Sequence, residues 1–256
     1  MDLGLAGKKA LILGSSSGMG RAIASGLADQ GAAVAVTGRN PERVAAVAGD
    51  IGAKQGIAAD LTESGAVAHV VDSALEALGG LDIFIGNTGG GKPGGLTEGG
   101  FDAIEPGFNA MLRPQLEASQ RVIPALRAGG AGRMVFLTAR SVLEASPDLA
   151  LSSVFRSGVA AAARSLALEL APEVTVNVVV PGQFDTPALQ RFEAARSQQT
   201  GQSIAEIRHD HVAAIPLQRL GQAEEVADLV VFLVSDRARY ITGATFRIDG
   251  GLTRGF

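Results

Sequence analysis

The 256-residue sequence predicts an α/β fold, one parallel sheet with helices on both faces. Two observations carry this. Short apolar runs alternate with longer stretches of helical periodicity from end to end, with no Pro- or Ser-rich linker and no internal repeat between them. A glycine-rich turn, GSSSGMG, follows the first apolar run and opens the first helical stretch. Residues 1–256 are therefore expected to form a single domain.

Seven segments read as strands. KALILG (9–14), AAVAVTG (32–38), GIAAD (56–60), LDIFIGN (81–87), GRMVFLT (132–138), VTVNVVV (174–180) and ATFRIDG (244–250) are short and mostly apolar, as strands covered on both faces require. Between them, helical patterns cover 19–30, 41–49, 63–78, 101–128, 150–171 and 222–235. Segment 184–215, FDTPALQRFEAARSQQTGQSIAEIRHDHVAAI, breaks the rhythm. It is long, polar and helix-prone, and it follows the carboxyl end of a sheet strand, where α/β folds bind ligands, so it is expected to be a substrate lid. A surface excursion without a role is the plainer alternative.

Composition narrows the function. An apolar content of 46% supplies a buried core. A net charge of -4 and a pI near 5.4 leave no basic surplus for nucleic acid or a membrane surface, so neither partner is expected. The chain has no cysteine, and its 3 scattered histidines make a poor metal site, so no metal is expected. The opening MDLGLAGKKALILG lacks a secretory pattern, and no run reaches roughly 18 apolar residues, which suggests a cytoplasmic protein.

The turn after the first strand places Gly14, Gly18 and Gly20 among Ser16, Ser17 and Met19. Glycines there permit a tight turn and close backbone approach, and the helix N-terminus offers free N–H groups to a pyrophosphate. At the end of the second strand a carboxylate would bind both ribose hydroxyls of NAD. The chain has Gly38 there, followed by Arg39. A guanidinium matches a 2′-phosphate in charge and in its forked donors, favouring NADP(H), with NAD(H) left open. The alternative is that Arg39 is only a solvated residue at a helix start.

With these motifs in place, the chain resembles the short-chain dehydrogenase/reductase family from end to end. Gly14-x-x-x-Gly18-x-Gly20 matches the family's cofactor loop, and AAD ending at Asp60, before Leu61, its adenine-contacting acid. DIFIGNTGG (82–90) keeps Asn87 and Gly89 of its Asn-Ala-Gly segment. VNVVVPGQFDTP (176–187) keeps Pro181, Gly182 and Thr186 of the segment over the nicotinamide, and 215–251 matches the C-terminal signature. The resemblance implies a Rossmann-type, doubly wound sheet in the order 3-2-1-4-5-6-7, a small-molecule substrate and a homodimer or homotetramer.

The family's proton-handling groups are where the chain departs. Ser152 stands at the tyrosine position, Arg156 at the lysine and Ala139 at the serine; the asparagine falls near Met111, with Asn109 as a shifted equivalent. A serine alcohol ionises far less readily than a phenol, and arginine stays protonated, so Ser152 and Arg156 can bind and polarise but form a poor acid–base couple. Losing a general acid costs roughly 10²–10⁴ in rate.

Several residues are candidates to compensate. Arg156 can still donate to the nicotinamide ribose, and Ser152 to substrate or cofactor. Thr138, Arg140 and Ser141 flank the vacant serine position, and Arg140 can serve as an oxyanion donor or be a surface residue. His209 and His211, around Asp210 in the lid, offer imidazoles for proton transfer, or are merely solvated. His69 is given no role, and Tyr240 is expected to pack. The readings are thus an NADP(H)-dependent oxidoreductase with a rearranged site, a catalytically silent cofactor-binding homologue, and, third, a non-redox lyase or isomerase. The loop Gly89–Gly95, GGGKPGG, borders the cleft without identifying a ligand.

Overall fold

The computed structural model describes residues 2–90, 94–97, 101–144 and 149–255. β1 (Lys9–Ile12) leads through the glycine turn into α1 (Gly18–Asp29); β2 (Ala33–Gly38), α2 (Pro41–Asp50) and β3 (Gln55–Ala58) extend the first half. The chain returns through α3 (Ala66–Leu78) to β4 (Ile83–Gly86), then through α4 (Ile104–Met111) and α5 (Arg113–Ala128) to β5 (Gly132–Leu137). After α6 (Ala150–Glu169) and β6 (Val174–Pro181) come α7 (Pro187–Thr200), α8 (Ile204–Ala214), α9 (Ala223–Leu233) and β7 (Thr245–Ile248).

The seven strands pair in parallel in the order β3-β2-β1-β4-β5-β6-β7, as the resemblance implies. The order in which strands are added reverses between β1 and β4, which opens a crevice beyond their carboxyl ends. Because side chains alternate along a strand, each inner strand feeds two cores. Leu11, Phe84, Met134 and Phe136 pack toward α3, α5 and α6, while Ala10, Ile12, Ile85 and Val135 pack toward α1, α2 and α9. Phe84 and Phe136 meet edge to face at 6.0 Å. Each buried Val, Leu, Ile, Phe or Met side chain among these contributes about 1.5–3 kcal/mol, enough collectively to fix the strand ends that carry the site.

Two expectations are corrected. The single helix expected over 101–128 is a short 3₁₀ turn followed by α4 and α5, divided at Leu112. Pro114 explains the division: it lacks an N–H and suits only a first helical turn. Tyr240 does not pack; it is fully exposed. Of the loop Gly89–Gly95, residues 91–93 lie outside the described residues. Among those described, no helix is long and apolar enough to cross a membrane, and no cluster of acids and histidines could hold a metal.

Candidate active site

The glycine turn is shaped by contacts that a side chain would destroy. Gly14 and Gly18 have φ of +59° and +54°, and a Cβ on Gly20 would collide with the Gly14 carbonyl oxygen. Ser17 caps α1 in an extended conformation without using its hydroxyl, and the first turn carries no acid. Free N–H groups and an uncommitted hydroxyl therefore converge where an anion would sit. Gly18 lies 3.6 Å, by its ideal Cβ, from Thr186 Cβ, so the turn and the segment after β6 face each other. These residues fit a dinucleotide.

At the end of β2, a Cβ on Gly38 would collide with Ser16 Oγ, so this position presents backbone only. Arg39 is exposed and makes no ion pair among the described residues; its charge is felt by Asp60. The backbone N–H of Thr62, 3.0 Å from Asp60 Oδ1, holds that carboxyl below the usual range, with the Thr62 hydroxyl at 2.8 Å adding to the effect. Leu61 follows, half-buried, its carbonyl facing Arg113. The side-chain amide of Asn87, expected to border the cofactor, donates to the carbonyls of Leu13 and Gly14, at 3.2 and 3.1 Å. It holds the turn in place.

Ser152 and Arg156 share a buried face of α6. The guanidinium of Arg156, only 7% exposed, donates to the carbonyls of Leu137 (3.4 Å), Thr88 (3.2 Å) and Gly89 (3.1 Å). It thereby ties the end of β5 to the loop after β4. Among the described residues no carboxylate pairs with it, and burial pulls its pKa down to about 10. Neither Ser152 nor Arg156 lines the large cavity next to it. Met111 is buried and Asn109 half-buried on α4, also away from that cavity.

The cavity has a volume of about 610 Å³. Its walls are Met19 of the glycine turn, Ala139, Arg140 and Ser141 after β5, Pro181, Gly182, Gln183 and Thr186 after β6, and the inner faces of α7 and α8. Arg140 reaches this wall from a 3₁₀ turn, paired with Glu144 at 2.8 Å. Ser141 Oγ and Gln183 Oε1 are buried without a hydrogen-bond partner among the described residues, as expected of polar groups completed by a ligand. Thr138, by contrast, is buried and donates to the Val179 carbonyl at 3.2 Å.

Segment 184–215 folds as two helices. Thr186 caps α7 and Pro187 starts it, Gly201 ends it at φ +76°, and Ser203 with Glu206 forms a reciprocal cap on α8. His211 lines the cavity; His209 is exposed outside it, and His69 is exposed on α3. His211 Nδ1 lies 3.4 Å from Oε1 of Glu193, a wholly buried carboxylate on α7. Arg208 clamps the same carboxylate through Nε and a terminal nitrogen at 2.9 Å. Sequence reasoning missed Glu193 and Arg208. The available signal was Arg208 and His211, three apart on one helical face; their acid lies on another helix, beyond local periodicity.

Residues 14–253 match the protein-family model described as Enoyl-(Acyl carrier protein) reductase. The NADPH-dependent reductase BacG of Bacillus subtilis is 28% identical over 251 residues, covering 95% of this chain and 97% of the relative. The 2-dehydro-3-deoxy-L-rhamnonate dehydrogenase (NAD(+)) of a Sphingomonas species is 31% identical, covering 97% of this chain and 96% of the relative. Among solved structures, L-sorbose reductase from Gluconobacter frateurii, complexed with NADPH and L-sorbose, matches with a TM-score of 0.92 at 26% identity over 100% of both chains.

Proposed function

The chain belongs to the short-chain dehydrogenase/reductase family, and from that premise we propose that it is an NADP(H)-dependent oxidoreductase with a rearranged active site. Its substrate is a small molecule, either a carbonyl/alcohol pair or an activated double bond. The end of β2 carries the reading: Gly38 offers no carboxylate to a ribose, and the exposed Arg39 lacks an ion pair among the described residues. BacG and the sorbose reductase, both named with NADPH, support it, whereas the rhamnonate dehydrogenase is named with NAD(+).

In this reading Gly14, Ser16, Ser17, Gly18, Met19 and Gly20 hold the pyrophosphate, Arg39 the 2′-phosphate, and Asp60 with Leu61 the adenine. Gly89, Pro181, Gly182 and Thr186 border the nicotinamide, and 184–215 acts as the lid. When bound, NADP(H) supplies or accepts the hydride. Ala139 leaves the family's serine position without a hydroxyl, and Ser141, two residues on, offers its unpartnered Oγ to a substrate oxygen. Arg156 serves as a clamp on the strand ends, fixing the site's floor.

Fluorescence titration tests the cofactor. Wild type should bind NADPH more tightly than NADH, and Arg39→Ala should weaken NADPH roughly 10-fold, about 1.4 kcal/mol, while leaving NADH unchanged. Turnover is then measured with an α-hydroxyketone, a β-keto ester, an ortho-quinone and an enone. Binding of neither nucleotide overturns the proposal. A second reading, a silent cofactor-binding homologue, is favoured by the commitment of Arg156 to main-chain carbonyls. NADPH binding without any turnover would select it.

A further inference from the structure

We infer that His211, oriented by Glu193, exchanges the proton with the substrate oxygen. This rests on the redox reading above and assigns the step that Ser152, Arg156 and Ala139 leave open. Among the described residues that line the 610 Å³ cavity, His211 contributes the imidazole. Its side chain is 15% exposed, enough to meet a ligand, and its ring stacks on Phe192 at 6.2 Å, which fixes the ring plane.

The partner fixes the tautomer. An ionised carboxylate only accepts hydrogen bonds, so the contact from Nδ1 to Glu193 Oε1 at 3.4 Å requires the proton on Nδ1. Nε2 is then left for the substrate, as acceptor in the neutral ring and donor in the cationic one. The fork of Arg208 on Glu193 holds the carboxylate in position. The other charged residues lining the cavity are Arg196 of α7, Asp210 of α8, and Arg140, which pairs with Glu144. Arg208 also reaches Asp185 at 3.2 Å, tying this arrangement to the segment after β6.

In reduction, the carbonyl carbon gains the hydride of NADPH and the π pair moves to oxygen. The Nε2–H bond of His211 breaks as the O–H bond forms, leaving a neutral imidazole that recovers its proton from water. Oxidation runs the same transfer backwards. His211 is thus a catalytic residue, and Glu193 a positioning residue acting through it. Glu193 sits on α7 and His211 on α8, so the pair is made by the packing of these two helices against each other.

The first test needs no variant. Histidine-labelled protein, studied by ¹⁵N NMR with the three histidines assigned by single substitutions, should show the neutral His211 ring protonated on Nδ1; protonation on Nε2 overturns the proposal whatever the turnover. The second uses the best-reduced member of the carbonyl panel with saturating NADPH. His211→Gln should lower kcat by roughly 10²–10⁴ and abolish the fall in rate at rising pH, with NADPH binding retained. Glu193→Gln should keep measurable turnover but move that fall to lower pH. His209→Gln, outside the cavity, should behave as wild type. If His211→Gln keeps both its rate and its pH profile while wild type turns over, this inference alone fails. If wild type binds NADPH and reduces nothing, the redox reading fails and takes this one with it.

Discussion

Adding one methyl group at Gly20 and at Gly49 has opposite expected consequences. At Gly20 the new Cβ would collide with the Gly14 carbonyl oxygen and lie 2.8 Å from the Asn87 amide, and the turn cannot retreat without moving the end of β1. Gly20→Ala should cost about 1–3 kcal/mol in urea unfolding and weaken NADPH binding. At Gly49, in α2, nothing lies within 4 Å, so Gly49→Ala should stabilise by about 0.5–1 kcal/mol. The spacing of glycines in the sequence identified the first site because the turn is a local structure. It gave less for Arg156, whose position on α6 was legible but whose destination was not. The guanidinium ends on carbonyls of Thr88 and Gly89, 68 and 67 residues away, and only tertiary packing decides that.

Elements were legible where local chemistry closes them. The apolar runs gave all seven strands, and the expected 222–235 helix is α9 within a residue or two at each end. Where two helices share one polar stretch, periodicity alone missed the break, although Gly201 and the Ser203-x-x-Glu206 cap mark it. The start of α9 supports a sharper prediction. Glu225 accepts from the Gln222 backbone N–H at 2.8 Å and from both terminal nitrogens of Arg219, at 2.7 and 2.6 Å; the guanidinium first, then that N–H, hold its carboxyl down at about 2. Glu225→Ala should cost about 0.5–1 kcal/mol at pH 7, a cap's worth reduced by solvent screening, since the side chain is 41% exposed. A carboxyl lowered by folding stabilises above its unfolded pKa, about 4.3, and stops doing so as pH falls through the folded value. The gap between wild type and variant should therefore close between about pH 4.3 and pH 2, read by urea unfolding at pH 7, 4 and 2. A gap that persists at pH 2 would show that the alanine acts through something other than the carboxylate.

At the scale of the molecule, the sheet order followed from a resemblance carried by five motifs, while the pairing of Glu193 with His211 did not, because the two meet only after two helices fold against each other. The same scale governs assembly. One side of α6 packs on the core through Phe155, Val159, Ala163 and Ala167, and the other exposes Val154 (52%), Ala161 and Leu168 (84%) at helical spacing. Small and apolar residues at that spacing let a second helix approach closely, and leaving them in water forgoes the stabilisation of burial. We expect this face to join two copies of the chain as a homodimer, or as one contact of a homotetramer. Sedimentation at micromolar concentration should then give a dimer or tetramer, and Leu168→Glu should shift it toward monomer by placing like charges across the contact. Because Leu168 makes little contact within its own chain, the variant's far-UV dichroism should remain that of wild type. A wild type that sediments as monomer across that range would remove α6 from the assembly and leave the alanine-rich face without a partner.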